Sequence, residues 1–340
     1  MQGLQWNHKI FNVKRSEFAS LALEIFRFQA GSNLVYRAFL EALQVNPDHV
    51  HSLEKIPYLP IRFFKSHRVI TGNFDAEQVF ESSGTTGMTA SRHYVTDLSL
   101  YEESFTRTFE MNYGPVKDLC ILGLLPSYLE RKNSSLVYMV EHLIRAGSHP
   151  LSGFYLDDQE KLVQVMRELE QSRTPALLIG VSFALLDLAE KFPMKLNHTI
   201  IMETGGMKGR REELVREELH ERLATAFDVK EIHSEYGMTE LLSQSYSKGK
   251  GIFQTPPWMK VILRDEEDPF TLHVEGMEGR SLSGAINIID LANVNSCSFI
   301  ATDDIGRLRA DGSFEMLGRM DGSDLRGCSL LVAGNGQLPS

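Results

Sequence analysis

The sequence predicts an α/β fold, with parallel sheets flanked by helices and a smaller β-rich subdomain behind them. Three observations carry this. Between residues 119 and 236, short continuous apolar runs alternate with amphipathic helical stripes, as expected for strands covered on both faces. Near residue 82 a cluster of small polar residues interrupts the regular pattern. From about residue 250 the segments become short and turn-separated. A chain of 340 residues with 42% hydrophobic content is long enough for a large core and more than one subdomain. The expected organisation is a leading helical segment over 1–75, an α/β core over 76–250 and a β-rich subdomain over 251–340.

Residues 15–45 place Phe18, Leu21, Ile25 and Phe26, then Leu34, Phe39, Leu40 and Leu43, at helical spacing. Two helices joined near Gly31-Ser32 follow from it. In 56–65, Pro57 and Pro60 exclude a regular helix, and the aromatics Tyr58, Phe63 and Phe64 are expected to pack across the main body. Buried strands are expected over 119–125, 176–181, 199–202 and 230–234. Helices run through Leu136, Met139, Val140 and Leu143, and through Leu214, Val215, Leu219 and Leu223. The loops 203–208 and 236–240 then leave the carboxyl ends of neighbouring strands, where open α/β sheets hold their ligands. Short strands over 259–264, 271–275, 284–290 and 314–317 complete the chain.

The net charge of −10 argues against a nucleic-acid surface, and there is no long basic run. No stretch reaches the roughly 20 apolar residues that a membrane helix needs. Residues 1–9 lack the basic-then-apolar pattern of a leader, so a soluble, cytoplasmic protein is expected. Cys120, Cys297 and Cys328 are too scattered for a disulfide framework or a structural metal site. Cys120, within an apolar run, reads as a small buried hydrophobe.

Ser82-Ser83-Gly84-Thr85-Thr86-Gly87 cannot continue a strand or a helix, but its N–H groups and hydroxyls can wrap an anion. It reads as a phosphate-binding loop. The Walker pattern is excluded, because that pattern ends in Gly-Lys-Ser/Thr and no lysine follows here. Further on stand Tyr236-Gly237-Met238-Thr239-Glu240, Thr302-Asp303-Asp304-Ile305-Gly306-Arg307 and Gly318-Arg319-Met320-Asp321. Any one of these alone is ordinarily just a turn. Together and in order they resemble the SSGTTG, YGxTE, TGDxGR and GRxD motifs of the adenylate-forming superfamily, which includes acyl-CoA synthetases, firefly luciferase and nonribosomal-peptide adenylation domains. Residues 56–65 also resemble the segment before the phosphate loop in LuxE-type acyl-protein synthetases, which narrows the likeness to that family.

The resemblance implies the large domain of an adenylate-forming enzyme that uses ATP and Mg²⁺ to activate a carboxylic acid, in the LuxE family a fatty acid. Ser83, Gly84, Thr85, Thr86 and Gly87 would hold the pyrophosphate end, with Thr239 on phosphate and Glu240 toward Mg²⁺. A single carboxylate suffices for an ion that leans on substrate phosphates. Tyr236, with Gly237, would lie against adenine, which the backbone of Gly205 and Gly206 would approach. Asp304 would accept from the ribose hydroxyls, with Arg319 beside it.

The chain departs from the superfamily pattern in three places. Thr89-Ala90 replaces Pro-Lys, leaving Arg92 as the nearest cation for the phosphates. The stretch 318–327 is one residue short and lacks its lysine, and no lysine follows Lys260. The mobile carboxyl-terminal domain that carries the catalytic lysine in typical members is therefore expected to be missing. A chain without it would pass the acyl group to a protein thiol and on to an acceptor protein. Cys328, after Gly327 and two residues from Arg326, is the candidate thiol. The alternatives are an acyl- or aryl-CoA ligase of the phenylacetate type, and a nucleotide-binding relative without turnover.

Overall fold

In the computed structural model the described residues are 2–82, 89–126, 133–155, 158–205, 214–265, 268, 270–274 and 282–320, with side chains from Trp6 onward. The chain begins with helices α1 (Gln2–Phe11), α2 (Phe18–Ser32) and α3 (Leu34–Ala42). The joint expected near Gly31-Ser32 falls at Asn33, whose side-chain carbonyl caps α3 by accepting from the Tyr36 N–H at 3.0 Å. Its amide donates to the Ser296 carbonyl at 2.8 Å, tying the helices to the far end of the chain. Next comes β1 (Leu59–Pro60), parallel to a late strand, and then the single turn α4 (Phe63–Ser66). Helix was excluded for 56–65 as a whole, but both prolines precede this turn, so neither ring opposes it.

Strands β2 (Gln78–Glu81) and β3 (Arg92–Val95) form a separate antiparallel pair. Helix α5 (Leu98–Tyr113) follows, capped by Asp97, which accepts from the Ser99 N–H at 3.0 Å. The α/β portion comprises β4 (Cys120–Leu124), α6 (Ser135–Gly147), β5 (Gly153–Phe154), α7 (Gln159–Ser172), β6 (Ala176–Gly180), α8 (Ser182–Lys191), β7 (Thr199–Glu203), α9 (Arg216–Phe227) and β8 (His233–Tyr236). Every residue of β4 and β6 is buried, as their unbroken apolar sequences require of strands covered on both faces. Strand β8 starts later than the expected 230–234. Asp228, in the left-handed conformation, caps α9, and Val229 still donates back to Ala224. Tyr236 is consequently the last residue of a strand.

The remaining strands are β9 (Ser245–Ser247), β10 (Ile252–Gln254), β11 (Met259–Arg264), β12 (Leu272–His273), β13 (Leu282–Asp290), β14 (Phe299–Leu308) and β15 (Phe314–Arg319). They continue the sheet that the parallel strands begin. One sheet runs β12-β11-β13-β14-β15-β10-β9-β8-β7-β6-β4-β5, with β1 beside β14. It is parallel from β5 to β8 and antiparallel from β9 onward. Among the described residues no helix is long and apolar enough to cross a membrane.

Candidate active site

Strands β6, β7 and β8 end side by side, and their carboxyl ends carry a layer of buried polar groups. Glu203 closes β7 and accepts from the Gly205 N–H at 2.9 Å, holding that glycine at φ +55°, in the left-handed region that favours glycine. Ser182, which opens α8, lies 3.4 Å away and His220 of α9 lies 3.6 Å away. Burial pushes Glu203 upward, but the His220 contact and the Arg216 charge outweigh it, and the carboxyl is held at about 2. Its counterpart Glu235, one residue before the end of β8, accepts from the Thr204 hydroxyl at 2.6 Å. There burial dominates, the Thr204 bond only partly offsets it, the Glu203 charge adds to it, and the carboxyl is pushed up to about 7. A Cβ on Gly237 would come within 2.5 Å of the Glu235 carboxylate, so a larger residue there would have to displace that buried side chain.

Tyr236 faces the other way along the strand. Its ring packs edge-to-face on Phe253 and Phe314, and its hydroxyl donates to Asp304 at 2.9 Å. Asp304 and Arg319 are register partners across β14 and β15, with the guanidinium 3.3 Å from the carboxylate. Asp303 lies 3.9 Å from Arg319 and 3.5 Å from Arg62. Arg264, buried behind them, donates to Asn287 at 2.7 Å and to the Thr302 carbonyl. Three sequence candidates, Tyr236, Asp304 and Arg319, are thus in direct contact.

The β2–β3 pair reaches the same place from another direction. His93 is fully buried, and its Nδ1 lies 2.8 Å from the Thr239 carbonyl. Burial lowers its basicity, partly offset by the Thr239 bond and the Glu240 charge. Glu240 is itself fully buried, and its carbonyl accepts from Asn293 at 2.7 Å. Asp290, at the end of β13, anchors the next residues: it accepts from the N–H groups of Leu242 and Ser243 at 2.8 and 3.0 Å and from the Ser243 hydroxyl at 2.6 Å. Burial nonetheless raises Asp290 to about 6. Arg92, next to His93, turns outward and pairs with Glu81 at 3.4 Å, at the base of the loop that the two strands carry.

Ser83, Gly84, Thr85, Thr86, Gly87, Gly206 and Cys328 lie outside the described residues. His93, Asp290, Asn293, Glu203 and Glu235 are neighbours that motif reading passed over. A polar residue at an inward position of an alternating strand was the available signal for His93. Among the described residues no group of three or more His, Cys, Asp or Glu side chains is arranged to hold a metal ion. A divalent ion here would rest on Glu240 together with nucleotide phosphates, a donor set that suits Mg²⁺.

No protein-family model matches the chain. The long-chain-fatty-acid–luciferin-component ligase of Vibrio harveyi is 25% identical over 330 residues, covering 91% of this chain and 85% of its own. A solved 2-hydroxyisobutyryl-CoA ligase in its postadenylation state superposes with a TM-score of 0.61 at 14% identity, over 89% of this chain and 67% of that one. ATP-bound MatB from Rhodopseudomonas palustris gives 0.53 at 17% identity, over 71% of this chain and 47% of MatB, so the chain spans about half of MatB's length. These structures share the fold described above.

Proposed function

We propose that this chain, which belongs to the LuxE-type family within the adenylate-forming superfamily, uses ATP to activate a carboxylic acid and passes the acyl group to Cys328 and then to an acceptor protein. The supporting observation is the convergence of separate motifs at the carboxyl ends of the parallel strands, through Tyr236 and Arg319 on Asp304 and through His93 on Thr239. Since the Vibrio harveyi relative is named for a long-chain fatty acid, that is the acid class we propose.

In the first step a carboxylate oxygen attacks the α-phosphorus of ATP, the bond to the bridging oxygen breaks and pyrophosphate leaves. Asp304 accepts from the ribose hydroxyls, while the backbone at Gly205 and Gly206 and the Tyr236 side approach adenine. Thr239, Arg92 and residues 83–87 hold the phosphates, and Glu240 supplies the carboxylate for Mg²⁺. The ion, when bound, neutralises charge that builds on the phosphates. In the second step the Cys328 thiolate attacks the acyl carbonyl and AMP departs, leaving a thioester. The other two cysteines suit this poorly: Cys120 and Cys297 are buried, and burial raises both thiols, Cys297 to about 12.

The test is incubation with ATP, Mg²⁺ and a panel of labelled acids. Acid-dependent exchange of labelled pyrophosphate into ATP reports activation, and a hydroxylamine-labile label on the protein reports the thioester. Cys328→Ser is expected to keep the exchange and lose the label. A label that persists in that variant, or disappears only when Cys120 or Cys297 is replaced, overturns the thiol assignment. An acyl-CoA product on adding CoA, with no protein label, replaces the reading with a CoA ligase.

A further inference from the structure

We infer that His93 is a positioning residue that couples the β2–β3 hairpin to the Thr239–Glu240 turn, fixing the turn that carries the carboxylate proposed for the metal. The inference rests on the function proposed above, but its structural half stands on geometry alone. Strands β2 and β3 pair only with each other among the described strands, and a two-stranded ribbon has little stability or fixed orientation of its own. Its pose must come from side chains that reach other elements. Phe80 packs on Tyr101 and Tyr138, and Asn133 donates toward Glu81 at 3.4 Å; these contacts face α5 and α6. His93 provides the bond to the Tyr236–Glu240 motif, 146 residues away in sequence.

The imidazole is there for that bond. A carbonyl only accepts, so the Nδ1 facing Thr239 carries the proton and Nε2 keeps a lone pair. Nε2 is buried and makes no hydrogen bond of good geometry among the described residues, with the Asn293 side chain as its polar neighbour. On its apolar side the ring packs edge-to-face on Phe64 at 5.7 Å, and Val95, the next inward residue, is buried. A leucine would remove the buried Nε2 and leave the half-buried Thr239 carbonyl to water. Packing therefore favours an aliphatic residue, and the Nδ1 bond is what the histidine adds. Asn293, in the turn just after β13, donates to the Glu240 carbonyl and neighbours His93, so the two side chains hold the turn together.

The geometry predicts which replacements work. The amide nitrogen of His93→Asn lies where Nδ1 lies, that of His93→Gln reaches toward Nε2, and His93→Leu keeps volume without a donor. Each variant is measured by hydrogen exchange of residues 92–95 and 239–243, by thermal melting, and by the Mg²⁺ concentration needed for half-maximal binding of a fluorescent ATP analogue. In the Leu and Gln variants, exchange in both segments and the Mg²⁺ requirement are expected to rise together by about tenfold, a usual size for coupling between sites. The Asn variant restores both, and the Leu variant melts no lower than the parent chain. Unchanged exchange in the Leu variant, or rescue by Gln equal to that by Asn, overturns the inference. Parent protein that fails to bind the analogue defeats the ATP reading instead, while the exchange data still judge the coupling.

Discussion

The two halves of the sheet hold their candidate groups in opposite ways. In the parallel half, Gly205, Thr239 and Glu240 lie beyond strand ends, and each is held by a few bonds from neighbours such as Glu203, His93 and Asn293. In the antiparallel half, Asp304 and Arg319 sit inside paired strands as register partners, next to an irregularity between Ile305 and Gly306. A group on a loop can be exchanged at a cost mainly to chemistry. A charge pair inside a ladder is also part of the fold, because removing Asp304 leaves the buried Arg319 with Asp303, at 3.9 Å, as a more distant counter-charge.

Glu240→Gln tests the loop side. It preserves shape and removes charge, so pyrophosphate exchange is expected to fall about a hundredfold or more, as on losing one main transition-state stabiliser, with melting little changed. A large drop in melting temperature would remove the contrast between the halves. Asp304→Ala tests the ladder side. The apparent KM for ATP is expected to rise by about tenfold, because ribose contacts are made equally in ground and transition states. Melting should also fall by several degrees, since Arg319, whose side chain is 5% exposed, loses its 3.3 Å partner. A loss confined to kcat with unchanged melting contradicts both roles.

Glu203 and Glu235 allow the comparison to be sharpened within the parallel half. Both are buried, and the stronger set of donors and positive charges around Glu203 separates them. Glu235 ionises near 4.5 when unfolded and at about 7 when folded, so its stabilising contribution is full below 4.5 and is lost as the pH rises to about 7. Glu203 has the opposite sign: its contribution is full above 4.5 and is lost as the pH falls toward about 2. Glu235→Gln is expected to remove the Glu235 share of the upper loss, on the order of 3 kcal/mol at most. The share of Asp290, raised to about 6, and the acid-side loss stay in place. Melting curves of both chains from pH 3 to 8 decide it; parallel curves across pH 4.5–7 would show that Glu235 is ionised in the fold. Among these substitutions it has the smallest expected effect on activity.

The sequence by itself determined the strands at 120–124 and 176–180 and most of the one at 199–203, because a strand covered on both faces is mainly apolar, and that pattern is local. It also marked Tyr236, Thr239, Glu240, Asp304 and Arg319, since turn and charge chemistry at fixed spacing is written in a few consecutive residues. Helix α5 escaped notice, its buried Leu100, Tyr101, Phe105 and Phe109 being interleaved with serine, threonine and glutamate. Only the tertiary structure decided that parallel and antiparallel strands join in one sheet, and that Tyr236 meets Asp304 across 68 residues. It alone decided that His93 turns inward to Thr239 and that Glu203 and Glu235 take opposite ionisation behaviour. The physical reason is the same in each case: hydrogen-bond partners and local dielectric are set by which distant elements pack together, and no short stretch of chain carries that information.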